Sequence, residues 1–161
     1  MENKKVIIIS IIAILIVGGV FWFGYNFAPG SYPYAEEYTF NVNEPDLISA
    51  VEFFKAENIK YCQPLQVQLK DGRGDPPDNN HWYHVYFYFP EENKIIKTWI
   101  QEQFEKNKTI FAFVAVNEGL TLGHWKYINK DFSDSENEAQ KKKFEERILK
   151  KIEAKLGVKY N

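Results

Sequence analysis

Few residues in this chain have the types and spacing that chemistry demands. His81 and His84 form an HxxH pair. On a strand, three residues of separation turn the two rings to opposite faces, where one metal ion cannot easily take both. The third histidine, His124, and the sole cysteine, Cys62, lie far away in sequence. Asp71, Asp75 and Asp78 stand in a segment rich in glycine and proline, which suggests calcium. Arg73 occupies a ligand position there, however, and Pro76 the place where an EF-hand loop needs glycine, so a solvated turn is expected. Beyond the apolar N-terminus the serines are Ser31, Ser49, Ser133 and Ser135, and none sits in a GxSxG elbow. No phosphate-cradling glycine motif occurs. Glu91 and Glu92 fall in a turn, where solvation explains them. The expectation is therefore a protein without catalytic residues, cofactor or metal, and not an enzyme.

The segment His81–Pro90, HWYHVYFYFP, carries a different kind of information. On a strand its side chains alternate between two faces. Tyr83, Val85, Phe87 and Phe89 suit a hydrophobic core. Trp82, His84, Tyr86 and Tyr88 form an aromatic row with polar tips. Such residues are enriched at binding surfaces, because they combine contact area with a hydrogen-bonding end. These four are the candidate partner-binding residues. The alternative is that they are simply good strand formers with one side in water.

The elements that must position this row follow from periodicity. Tyr38, Phe40 and Val42 alternate with polar residues and predict a strand. Asn43 and Asp46 resemble a capping box, and Leu47, Val51 and Phe54 share one helical face, predicting a helix over 44–57. Leu65, Val67 and Leu69 alternate with Gln66, Gln68 and Lys70, which predicts a second strand. The aromatic segment, the turn Pro90–Asn93 and the run from Lys94 to Gln101 form the strongest hairpin signal. Thr109–Val116 is apolar on both faces, as a central strand would be, and a weaker strand follows around Leu122–Ile128. Ser133 and Glu136 open a long helix whose apolar stripe is Phe144, Ile148, Leu149, Ile152 and Leu156, with Gly157 to end it.

Val6–Phe27 contains no charge and has the length of a transmembrane helix. Lys4 and Lys5 precede it, and no Lys or Arg follows until Lys55, so the positive-inside rule places the N-terminus in the cytoplasm. A cleaved signal peptide fits less well, because the apolar run is long and Pro29 follows Ala28. The expected organisation is residues 1–5 cytoplasmic, 6–27 in the lipid, 28–35 a linker stiffened by Pro29 and Pro33, and 36–161 an extracytoplasmic domain. From Ala28 onward 18 Lys and Arg face 21 Asp and Glu, a mildly acidic balance that argues against a nucleic-acid partner. Only two of the twenty basic residues are Arg, while Ile and Asn abound. That composition suggests an AT-rich bacterial genome, hence a bacterial cytoplasmic membrane with the domain periplasmic or extracellular.

The expected fold class is α+β. One antiparallel sheet follows the anchor in the order β-α-β4/5-α, with both helices on one face. This order resembles the general plan of helix-grip and TATA-binding-protein-like folds, in element order only. The expected function is a protein-interaction module with an extracytoplasmic protein partner, as an accessory subunit of an envelope complex or an immunity-type inhibitor. A carrier of an apolar ligand between sheet and helices, and an enzyme with a dispersed site, are the alternatives.

Overall fold

The computed structural model describes residues 2–27, 32–74 and 81–161. Asp75, Pro76 and Asp78, and residues 28–31 of the expected linker, lie outside the described residues. The chain divides into two compact units, Met1–Pro33 and Tyr34–Asn161. The first unit is helix α1 (Glu2–Phe27), 26 residues long. Among the described residues no helix is long and apolar enough to cross a membrane. The expectation of a transmembrane helix over Val6–Phe27 is thus not supported at that level, although the backbone there is helical throughout.

The second unit is α+β, with one antiparallel sheet and two helical rods. Strand β1 (Glu36–Phe40) leads into α2 (Glu44–Glu57), then β2 (Tyr83–Phe89), β3 (Lys94–Glu102), β4 (Thr109–Glu118) and β5 (Trp125–Tyr127). The last rod runs through α3 (Asp134–Phe144), a π turn (Glu145–Leu149) and α4 (Lys150–Leu156). The sheet order is β1-β4-β3-β2. β1 and β5 lie along the same edge of β4, β1 beside Thr109–Phe113 and β5 beside Ala115–Asn117. β4 is the central strand its two-sided apolarity predicted, and Phe111–Asn117 are all buried.

Local chemistry explains the helix ends. Asn43 Oδ1 accepts from the Asp46 N–H at 2.9 Å, with Pro45 in the first turn where no amide is needed. The Glu136 carboxylate accepts from the Ser133 N–H at 3.1 Å. Gly157 closes α4 at φ 69°, a left-handed cap that suits glycine. Both rods cover the same sheet face. Phe87 of β2 meets Phe54 of α2 at 6.2 Å between ring centroids and Phe144 of α3 at 6.3 Å. Phe144 also meets Phe111 at 5.6 Å and Phe113 at 4.8 Å. A bulge between Lys97 and Thr98 in the β3–β4 register makes Val114 an extra residue, so Phe113 and Val116 both reach the core despite their odd spacing.

The expected strand over Leu65–Leu69 is absent, which leaves four strands between the helices. Residues Ile59–Tyr61 form a 3-10 turn, and the chain then runs on irregularly as a strap. The amides that a strand would offer its neighbours are used locally. Val67 N donates to Pro64 O, and Leu69 N to Val67 O, both at 2.9 Å. Gln63 Nε2 takes the Leu69 carbonyl at 3.0 Å. Three alternating apolar residues behind a proline made too short a pattern: Val67 is buried, but Leu65 is fully exposed.

Candidate aromatic interface

Cross-strand register decides which side chains share the second sheet face, because residues directly opposite one another point the same way. His84 faces Trp99, Tyr86 faces Lys97 and Tyr88 faces Ile95. Across β3, Trp99 faces Ala112, Lys97 faces Ala115 and Ile95 faces Asn117. Beyond β4, Ala115 faces Tyr127 and Asn117 faces Trp125. The four expected residues Trp82, His84, Tyr86 and Tyr88 therefore stand together on this face, and all four are half-buried. Phe87, Val85 and Phe89, which alternate with them, are buried in the core on the other side.

Alternation within one strand did not reveal the rest of the face. Ile95 is 0% exposed and Trp99 3%, and neither belongs to the cluster beneath the helices. Trp82 lies 6.3 Å from Trp99, and the His84 and Tyr86 rings stack at 6.4 Å with 25° between their planes. The small side chains of Ala112 and Ala115 leave room for indole and phenol rings beside them. Trp125 and Tyr127 continue the aromatic surface past β4, and Tyr127 is exposed. The signal that would have found Ile95, Lys97 and Trp99 is the hairpin itself. A tight turn at Pro90–Asn93 pairs 88 with 95, 86 with 97 and 84 with 99.

The electrostatics of the face are those of a partly dry surface. Burial first, then the charge of Lys97, holds the His84 imidazole below its usual pKa, against a smaller opposing effect of a hydrogen bond with the Thr98 backbone. Burial also lowers the Lys97 ammonium. Tyr86 is raised, by burial and then by the Asp71 carboxylate. The Tyr88 hydroxyl donates to Asn93 Oδ1 at 3.0 Å, which fixes its ring at the hairpin end. Asn117 is buried at the end of the row and organises the loop to β5. Its amide donates to Gly119 O and Thr121 O, each at 3.0 Å, and its carbonyl accepts from His124 N at 2.9 Å.

Both sheet edges are occupied. Along β1, Thr39 and Asn161 exchange backbone bonds of 3.0 Å in each direction. The N–H of Tyr127 on β5 donates to Asp131 Oδ2 at 2.8 Å. On the β2 side Gly72 bridges His84, and Asp71 Oδ1 accepts from Tyr86 N at 2.9 Å.

Other sequence candidates are not brought together. His81 is exposed before β2, His84 is on the aromatic face, and His124 stands in the loop before β5. Cys62 is a free thiol in the strap, its Sγ 3.7 Å from the Lys55 carbonyl. Among the described residues no group of three His, Cys, Asp or Glu could hold a metal ion. An open cleft of about 1110 Å3 lies between the strap and α2, lined by Glu52, Lys55, Gln63, Leu65, Asp71 and Tyr83 among others. Lys55, Asp71, Gln63, Glu52 and Tyr83 are already engaged. Lys55 Nζ binds Asp71, Gln63 and the Tyr86 carbonyl, and Tyr83 donates to Glu52 at 2.9 Å. Burial, then Glu52, pushes the Tyr83 phenol up to about 12.

No protein family, curated protein or solved structure matches the chain. The likeness of element order to helix-grip and TATA-binding-protein-like folds therefore carries no inference about function.

Proposed function

We propose that the domain is a non-catalytic protein-interaction module whose aromatic sheet face docks a protein partner outside the cytoplasm. The observation that carries this reading is the single surface formed by Trp82, His84, Tyr86 and Tyr88 over Ile95 and Trp99. Half-buried rings of this kind lose little conformational entropy on binding and supply most of the energy at many interfaces. Face-on docking is favoured over strand addition because Thr39, Tyr127, His84 and Tyr86 already have edge partners. A carrier finds less support, since Phe54, Phe87, Phe111, Phe113 and Phe144 fill the space between sheet and helices.

The proposal includes an anchor. Val6–Phe27 is free of charge and belongs to a helix of 26 residues, and Lys4 and Lys5 flank it on one side only. We read this segment as membrane-inserted, with the domain on the far side of a bacterial cytoplasmic membrane. The partner is then a protein of the envelope, which accommodates both an accessory subunit and an immunity-type inhibitor.

The experiment is a comparative capture from membranes in mild detergent. Full-length wild type, Tyr86→Ser, Tyr88→Ser and the remote surface variant Leu65→Ser are used as baits. A protein recovered with wild type and Leu65→Ser but lost with both tyrosine variants is the expected result. Equal recovery with all four baits would remove the aromatic face as the docking surface.

A further inference from the structure

The outer edge of β2 is closed in an unusual way. Among the described strap residues Gly72 alone bridges to β2, its N–H donating to His84 O at 2.9 Å and its carbonyl accepting from His84 N at 2.8 Å. Two residues along, closure passes from backbone to side chains. Asp71 Oδ1 accepts from the Tyr86 N–H at 2.9 Å, and Lys55 Nζ donates to the Tyr86 carbonyl at 2.8 Å. Lys55 and Asp71 also pair with each other, and Gln63 Oε1 takes a further Lys55 proton at 3.2 Å. Lys55 is 8% exposed and its ammonium lies 5.4 Å from the centre of the Phe87 ring. A clasp of two side chains thus occupies the position where another strand would bind.

The strand beneath the clasp is self-complementary. Tyr86 is the midpoint of the seven residues Tyr83–Phe89. The partners of His84 and Tyr86 show that these residues turn their amides outward, and alternation gives Tyr88 the same direction. Laid antiparallel against a copy of itself about Tyr86, β2 would set Tyr86 opposite Tyr86 and His84 opposite Tyr88. Every outward amide would then meet its complement across a two-fold axis. The sequence YHVYFYF contains no Lys, Arg, Asp, Glu, Gly or Pro, so nothing within the strand discourages that pairing.

We propose that the Lys55–Asp71 clasp is an autoinhibitory contact over a self-pairing edge. When it opens, β2 pairs antiparallel with β2 of a second copy of this chain, Tyr86 opposite Tyr86. This inference rests on the edge and is independent of what docks on the aromatic face. Natural sheets guard exposed edges with inward-placed charges of this kind, and the guard here comes from outside the strand it protects. Removing one charge therefore loosens the strap at Tyr86 without changing the strand, and pairing with a second copy then displaces the two-bond Gly72 bridge from His84.

The test measures the protein mass of the full-length chain in mild detergent by light scattering after size exclusion, over a range of concentrations. Wild type is expected to remain monomeric. Asp71→Ala and, independently, Lys55→Met are expected to double in mass with rising concentration while keeping a cooperative melt. Adding Tyr86→Pro to Asp71→Ala removes the outward N–H at the two-fold axis, which an edge position tolerates, and should restore the monomer. A dimeric wild type would contradict an inhibitory clasp. Folded, monomeric Asp71→Ala and Lys55→Met would overturn the proposal, as would a dimer that persists with Tyr86→Pro. Loss of the cooperative melt in both single variants would make the clasp a requirement for folding, and the proposal would fall with it.

Discussion

Phe87 and Tyr88 are neighbours on one strand, yet substitutions at the two should act through different physics. Phe87 is fully buried and its ring is bounded by Phe54, Phe111 and Phe144 at 6.2–6.3 Å. Phe87→Ala loses the transfer free energy of the ring and leaves a cavity that two helices and a sheet cannot collapse, for a cost of about 3–5 kcal/mol. Typical domain stabilities are about 5–15 kcal/mol, so a large part of the margin would go. In a domain of this size the melting temperature should drop by roughly 10–20 °C. Tyr88 is half-buried on an open face, where water replaces the lost ring and no cavity forms. Tyr88→Ser should cost about 1–2 kcal/mol, from partial transfer and the bond to Asn93. Thermal melts of the two variants beside wild type measure the difference directly. Equal losses would mean that Tyr88 is packed as tightly as Phe87, and the separation into a core face and an open face would be wrong.

Further outcomes follow from named groups. His84 is held below its ordinary value of 6.5 by burial and by Lys97, so the unfolded chain takes up a proton below that pH which the folded chain resists. Stability should fall as pH drops from about 7 through that range and level off below the folded value, and His84→Gln should remove this component of a pH-dependent melt. Asn117→Ala strips partners from Gly119, Thr121 and His124 in a buried setting and should cost about 1–3 kcal/mol by denaturant titration. A reporter fused after Asn161 should be active only outside the cytoplasm, and the mature chain should begin at its native N-terminus. A soluble form starting near Pro29 or Glu36 would instead identify a cleaved signal.

Sequence periodicity located the elements that carry their own signals. The helix over 44–57 appears with those bounds, because Asn43 caps it and Leu47, Val51 and Phe54 bury one face. The hairpin was visible because residues of high strand propensity flank a four-residue turn at Pro90–Asn93. The strand expected at Leu65–Leu69 failed where local turns outcompeted pairing, and nothing in three alternating residues reveals that competition. The aromatic row on β2 was readable from alternation, whereas Trp125 and Tyr127 join it only through pairing of β5 with β4. The Lys55–Asp71 clasp was invisible for the same reason. Its members are 16 residues apart on a helix and in a loop, and only the folded strap brings them to β2.

Whether the aromatic face binds a protein is tested most directly by the capture experiment, read beside the melts. The decisive pair is wild type and Tyr86→Ser, both full-length and both confirmed as folded. A protein retained by wild type and by Leu65→Ser, and lost from a stable Tyr86→Ser, is the result expected of a docking surface. The same protein retained undiminished by a stable Tyr86→Ser, and by Tyr88→Ser, would reduce the face to the outer side of a strand and contradict the proposed function.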